Sequence, residues 1–222
     1  MRSRVLNRRI ARRLIAHHLP IALIATAGAV LLSVTRPHAD LISRLSFATA
    51  YPALALLAVT LLIGPWTLLR KLPNPTSNDL RRDFGIWAGI VGVVHAVIGQ
   101  CVHLRGRPWL YYVYGRQEHH HTFPIRHDLF GLANYTGLFS VILLAALFAT
   151  SNDFSLRVLG TPRWKRLQRW NYAVFALAAV HAIGYFAIEK QEFPFIVLVG
   201  ALLGIAIALQ AAGFMLRYKD SR

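Results

Sequence analysis

Six long apolar runs, divided by short stretches that hold nearly all the charge, constrain this chain more than any other feature of it. They lie roughly at 18 to 35, 46 to 69, 84 to 104, 128 to 150, 170 to 189 and 194 to 216. Each is close to the roughly 20 residues a helix needs to cross a bilayer. With 55% apolar residues gathered in this way, a single water-soluble core is excluded. The expected fold is all-α, a polytopic membrane helical bundle of about six transmembrane helices. A basic segment at 1–17 precedes the bundle at 18–216, and a short tail occupies 217–222. Pro52 and Pro65 in the second run do not argue against a span, because neighbouring membrane helices can satisfy the carbonyls that proline frees.

The placement of charge sets the orientation. A net charge of +16 on a soluble protein would suggest nucleic acid, but here the cations sit between the apolar runs, so the partner they indicate is the lipid bilayer. Six lysines and arginines precede the first run, four lie in 70–83, five in 151–169 and three after 216, against seven in all the remaining loops. Richer and poorer loops alternate, which by the positive-inside rule places both termini in the cytoplasm and the long loop 105–127 outside. The arginine-rich N-terminus followed by an apolar stretch resembles a signal peptide, but Thr35, Arg36, Pro37 and His38 replace a small-residue cleavage site, so a retained first helix is expected.

Runs three and five then cross in the same direction, and each carries a deep histidine: His95 within Gly92-Val93-Val94-His95-Ala96 and His181 within Ala178-Ala179-Val180-His181-Ala182. Measured from Asp83 and Arg169, each lies twelve residues in, about 18 Å at the helical rise. Two imidazoles at matched depth suit the axial ligation of a haem, and small residues on the same helix faces leave room for a flat macrocycle: Gly92 and Gly99 beside His95, Ala178 and Gly184 beside His181. The competing explanation is a small-residue packing seam with a histidine hydrogen-bonded across it. A single cysteine, Cys101, excludes an internal disulfide, an iron–sulfur cluster and covalent haem attachment.

In the outer loop, Trp109, Tyr111, Tyr112 and Tyr114 read as an interfacial belt. His119, His120 and His121 read as a solvated run with some capacity for metal, and Arg105, Arg107, Arg116 and Arg126 could pair haem propionates or lipid headgroups. His17, His18 and His103 are expected to anchor or pack, and Asn134 and Ser140 to make helix-packing hydrogen bonds. The chain has no P-loop, dinucleotide-binding glycine loop or nucleophile elbow, so if it moves electrons, donor and acceptor must both come from elsewhere.

The ordered set Arg81-Arg82-Asp83-Phe84-Gly85-Ile86-Trp87 leading to His95, Ala149-Thr150-Ser151, then Leu159-Gly160, Trp164-Lys165-Arg166-Leu167 and Tyr172 leading to His181 resembles the ferric reductase-like transmembrane domain, and within it the MsrQ (YedZ) family. The resemblance covers roughly residues 55 to 190. It implies a six-helix bundle in the bacterial inner membrane with His95 and His181 as axial ligands of a b-type haem. Electrons would pass from a quinol or flavin donor to a periplasmic acceptor, making the chain the electron-transfer component of an oxidoreductase system. The chain departs from the pattern at Gln168, where the family carries a further histidine, and Arg81 stands at the companion position, so one haem is expected rather than two. The long outer loop also departs from the short connection expected. Two alternatives stay open: a stand-alone ferric or cupric reductase working at the outer histidines, and a haem-free scaffold or transporter.

Overall fold

The computed structural model describes residues 11–71, 77–104, 106–115, 124–190 and 192–220; Arg105, Arg116, His119, His120 and His121 lie outside them. The described residues are mainly helical: α1 (Leu19–Val34), α2 (Leu41–Leu69), α3 (Ser77–Gly99), α4 (Leu129–Ala149), α5 (Asp153–Gln168), α6 (Asn171–Ile188) and α7 (Phe193–Asp220). Six stretches are long and apolar enough to cross a membrane, α5 and α6 counting as one. No strand forms among the described residues, which hold only an isolated bridge between Val113 and Ile125. The helices pack both with chain neighbours and across the bundle: α2 lies against α1, α3 and α7, and α4 against α3 and α6.

Polar residues set the helix starts. The Asp40 carboxylate accepts from the Ile42 and Ser43 amides, Asp128 from Gly131 and Asn152 from Ser155, each satisfying amides that a first helical turn leaves without a partner. These caps start α2 at Leu41, before the expected position 46, and turn the expected loop at 151–169 into α5. Gly160, at φ 70° and ψ 157°, interrupts α5 just before Pro162, a backbone state that favours glycine. Trp164 ties α5 back by donating from its indole to the Thr150 carbonyl at 2.9 Å.

The first and third spans begin earlier than their hydropathy suggests, and the reason is electrostatic. Asp83, fully buried inside α3, bonds Arg13, His17 (2.7 Å) and His18 (3.3 Å). A π-helical turn at Leu14–His18 precedes α1 and carries both histidines. The basic end of the first span is therefore docked onto α3, and the ionised groups that hydropathy places at the margins are compensated within the bundle. At its other end α3 stops at Gly99 rather than 104. There Tyr111, fully buried, donates to the Gly99 carbonyl (3.1 Å) and accepts from the His103 amide (2.8 Å). Tyr111 is thus a helix-end plug, while Trp109 is exposed as an interfacial residue would be.

Candidate functional site

Close helix approach brings the two deep histidines together. A Cβ on Gly92 would sit 2.7 Å from Leu144 of α4, and one on Gly184 would sit 2.9 Å from the Ala133 Cβ, so α3 and α6 are both drawn tightly onto α4. The ring centres of His95 and His181 are 6.2 Å apart, with their planes at 75°. The His181 ring lies across α4 directly over Gly137, where a Cβ would meet its Nδ1 at 2.6 Å and its Cε1 at 2.8 Å.

The hydrogen bonds of the rings decide which nitrogen is available for chemistry. His181 Nδ1 is 2.8 Å from the Ala133 carbonyl, and His95 Nδ1 is 3.1 Å from the Ser46 carbonyl and 3.4 Å from the Thr49 hydroxyl. A carbonyl only accepts, so each Nδ1 carries the proton and donates, leaving Nε2 as the lone-pair nitrogen. Donation from the second ring nitrogen to a backbone carbonyl is how metal-ligating histidines are oriented. Two imidazoles ligating one metal ion at about 2 Å each would have ring centres about 6.3 Å apart, and the rings can turn independently about their metal–nitrogen bonds. The observed spacing matches that requirement.

Both rings line an open cavity of about 670 Å³ walled by α2, α3, α4 and α6, with Val199 of α7. That is ample for a cofactor. Its walls include the small or aliphatic Leu54, Leu57, Gly92, Leu144 and Ala178, with Ser46, Asn134 and Ser140 as polar residues nearer the histidines; its charged side chains, Arg36 and Glu189, stand at one end with Ser43, Gln100, His103 and Tyr112. There His103 Nε2 donates to Glu189 at 2.8 Å, and chiefly this bond holds the Glu189 carboxyl below the usual carboxylate range. Tyr185 connects this end to the histidine layer. Its ring is 4.9 Å from His181 and stacks on His103 at 6.2 Å, and its hydroxyl donates to Asn134 at 3.0 Å.

Of the residues singled out by sequence, His95, His181, Gly92, Gly99 and Ala178 converge on the cavity, as do Asn134 and Ser140. Gly184 and Arg126 are not among its lining residues. Gly184 shares a helix face with His181, but that face is turned onto Ala133 at this level, which makes Gly184 a packing glycine. Arg126 is drawn instead to Asp128, at 2.7 Å, and its guanidinium carbon lies 4.8 Å from the centre of the Tyr114 ring. Sequence reasoning missed Gly137, Arg36 and the Ser46 and Ala133 carbonyls. The first resembles any packing glycine, the second any span-flanking cation, and a carbonyl acceptor leaves no side-chain trace. At the opposite end, Arg82 pairs with Asp153 at 2.6 Å, and Gln168 reaches the Leu147 carbonyl and the Thr150 and Ser151 hydroxyls at 3.4 to 3.5 Å.

Known proteins are similar to this chain in sequence. The chain is 28% identical over 175 residues to the protein-methionine-sulfoxide reductase heme-binding subunit MsrQ of Yersinia pseudotuberculosis serotype O:1b (strain IP 31758), covering 78% of this chain and 77% of that one. The protein of the same name from Yersinia pestis (strain Pestoides F) matches at 28% over 78% of this chain and 76% of its own length. The model of the ferric reductase like transmembrane component matches residues 49–180, a stretch that contains His95 and all of α3 and α4 and ends one residue before His181. Spanning more than half of the chain, that match shows that this protein belongs to the ferric reductase like transmembrane component family.

Proposed function

We propose that this protein is a membrane electron-transfer subunit that holds one b-type haem between His95 and His181. It would take electrons from a quinol or flavin donor and deliver them to a periplasmic acceptor across the inner membrane of a bacterium, with both termini cytoplasmic. One observation carries this reading. The two imidazoles, on separate helices, each commit Nδ1–H to a backbone carbonyl, stand 6.2 Å apart and share one cavity. Two packed rings can also meet edge to face at this spacing, but a packing seam does not require both Nδ1–H groups to be committed to carbonyls so that both Nε2 lone pairs are left for one metal ion. The similar proteins named as haem-binding subunits support the same cofactor.

Bound there, a haem supplies a one-electron iron couple in a low-dielectric shell. The chain's own residues do the rest. Ser46 and Ala133 orient the two rings through their carbonyls. Gly92, Gly99, Gly137 and Ala178 leave the space between the helices, and Leu54, Leu57 and Leu144 exclude water from it. At the opposite end of the bundle Gln168 is engaged with protein partners, and neither its amide nor the guanidinium of Arg81 is a haem-iron ligand, which supports a single haem.

The test is a visible spectrum of the purified chain with that of His95→Ala and His181→Ala. A low-spin b-haem spectrum is expected from the parent, and each variant should lose most of its haem while inserting normally. Parent-like haem content in both variants would refute ligation by this pair.

A further inference from the structure

We propose that Arg36, in the turn between α1 and α2, binds the acidic substituents of the cofactor and so fixes its orientation, carboxylates at the mouth of the cavity and apolar edge inward. The proposal rests on the haem reading above but goes beyond it, because Arg36 lies outside residues 49–180, the stretch that the family model matches.

A protohaem carries two carboxylates on one edge, and an ionised carboxylate cannot be placed against aliphatic walls without a large desolvation cost. Among the described residues that line the cavity, the only charged side chains are Arg36 and Glu189, and these two stand at the same end. Arg36 is the one lysine or arginine among the described residues that line it. Its guanidinium carbon stands 4.1 Å from the centre of the Phe47 ring and 5.9 Å from that of Phe195. Stacking of this kind engages the flat face of the guanidinium and keeps its N–H edge in a set direction, the geometry that suits a carboxylate.

The neighbouring groups fit the same ligand. Tyr112 accepts at its hydroxyl from the Gln100 amide at 2.9 Å, and no acceptor for its own proton is found among the described residues. Burial raises its phenol above the ordinary range, so that proton stays in place as a donor. Glu189, the one carboxylate in the lining, is bonded to His103 and also feels the Arg36 charge, so the mouth does not repel an anion as an uncompensated carboxylate would. The rival cation, Arg126, makes its close contacts with Asp128 and does not line the cavity.

The experiment compares binding of protohaem and protohaem dimethyl ester, followed by spectral titration of the haem-depleted full chain in detergent. The ester has the same ring and iron but no carboxylates. Wild type is expected to bind the free acid roughly tenfold or more tightly than the ester, as befits hydrogen bonds to a charged group. Arg36→Gln should abolish most of that preference, Arg36→Lys should keep part of it, and Arg126→Gln should keep it whole. An unchanged preference in Arg36→Gln, or its loss in Arg126→Gln instead, overturns the proposal. If Arg36→Gln fails to insert, Arg36→Lys decides, since a preference identical to wild type there also overturns it. Equal binding of the two haems by wild type overturns the Arg36 assignment alone, whereas binding of neither overturns the haem reading itself.

Discussion

Replacing Gly137 by alanine tests the histidine layer without touching either histidine. The added Cβ would lie 2.6 Å from Nδ1 and 2.8 Å from Cε1 of His181, well inside van der Waals contact. The ring cannot simply tilt away, because the same Nδ1 donates to Ala133, one helical turn earlier on α4. Moving it breaks that bond, and staying costs overpacking of about 1–3 kcal/mol. Against this, alanine gains about 0.5–1 kcal/mol over glycine in a helix interior, so net stability changes little and the loss falls on the orientation of the ring. Loss of such an orienting contact typically lowers metal affinity by about 10–100-fold. Haem per polypeptide, measured by pyridine haemochrome, should fall sharply while the melting temperature in detergent shifts by only a few degrees. Gly204→Ala is the control, since nothing lies within 4 Å of its added Cβ. A Gly137→Ala protein with full haem content and the parent spectrum would show that His181 does not ligate from this position.

Iron and haemochrome analysis of homogeneous protein should give close to one haem per chain, and a value near two would refute the single layer. Fusion reporters should place 1–13, 70–83, 151–169 and 217–222 in the cytoplasm, because their cations resist translocation; an external C-terminus would reverse the assignment of inside and outside. Asp83→Ala should destabilise the protein by about 1–3 kcal/mol in detergent unfolding, since it removes the buried carboxylate shared by Arg13, His17 and His18 and leaves Arg13 only Asp79, at 3.9 Å; a loss below about 0.5 kcal/mol would mean the cluster is not a structural lock. Glu189 is held low by His103, so its stabilising contribution is full at neutral pH, above its unfolded value, and is lost as the pH falls through its depressed folded value. Glu189→Gln should therefore flatten the acid side of the stability profile, and an unchanged profile would remove the pair from the account.

The spans and the two histidines were legible in the sequence because both are statements about transfer into lipid. A run of apolar residues and a lone imidazole inside one are each defined by the chain itself. The family motifs around Arg82, Gly85 and Trp87 were legible for the same reason, as local text. What the sequence hid depends on which helix faces which. Gly137 matters because His181 lies over it, and Gly184, which satisfies the i+3 spacing equally well, faces Ala133 instead. Arg126 stands in the loop expected to hold acids, yet two residues later Asp128 offers a nearer carboxylate. Asp83 looked like a span margin because hydropathy scores residues singly and cannot see the three partners, one arginine and two histidines, supplied from the first span.

The two ends of the bundle therefore divide the polar work. At one end polar groups are spent on the protein itself: the buried Asp83 with Arg13, His17 and His18, the exposed pair Arg82 with Asp153, and Gln168 against the end of α4. Between that end and the histidines, Phe84, Trp87, Leu167 and Phe175 pack against the hydrophobic core. At the other end the polar groups surround a cavity. With twelve residues of α3 separating Asp83 from His95, about 18 Å of helix lies between the two regions. An electron donor that stops at the Asp83 end would face that whole distance, so a single histidine layer requires a donor that enters the bundle or approaches it laterally through lipid. A lipid-soluble quinol meets that requirement more readily than a flavoprotein confined to the surface, and the choice between them follows from the haem count rather than preceding it.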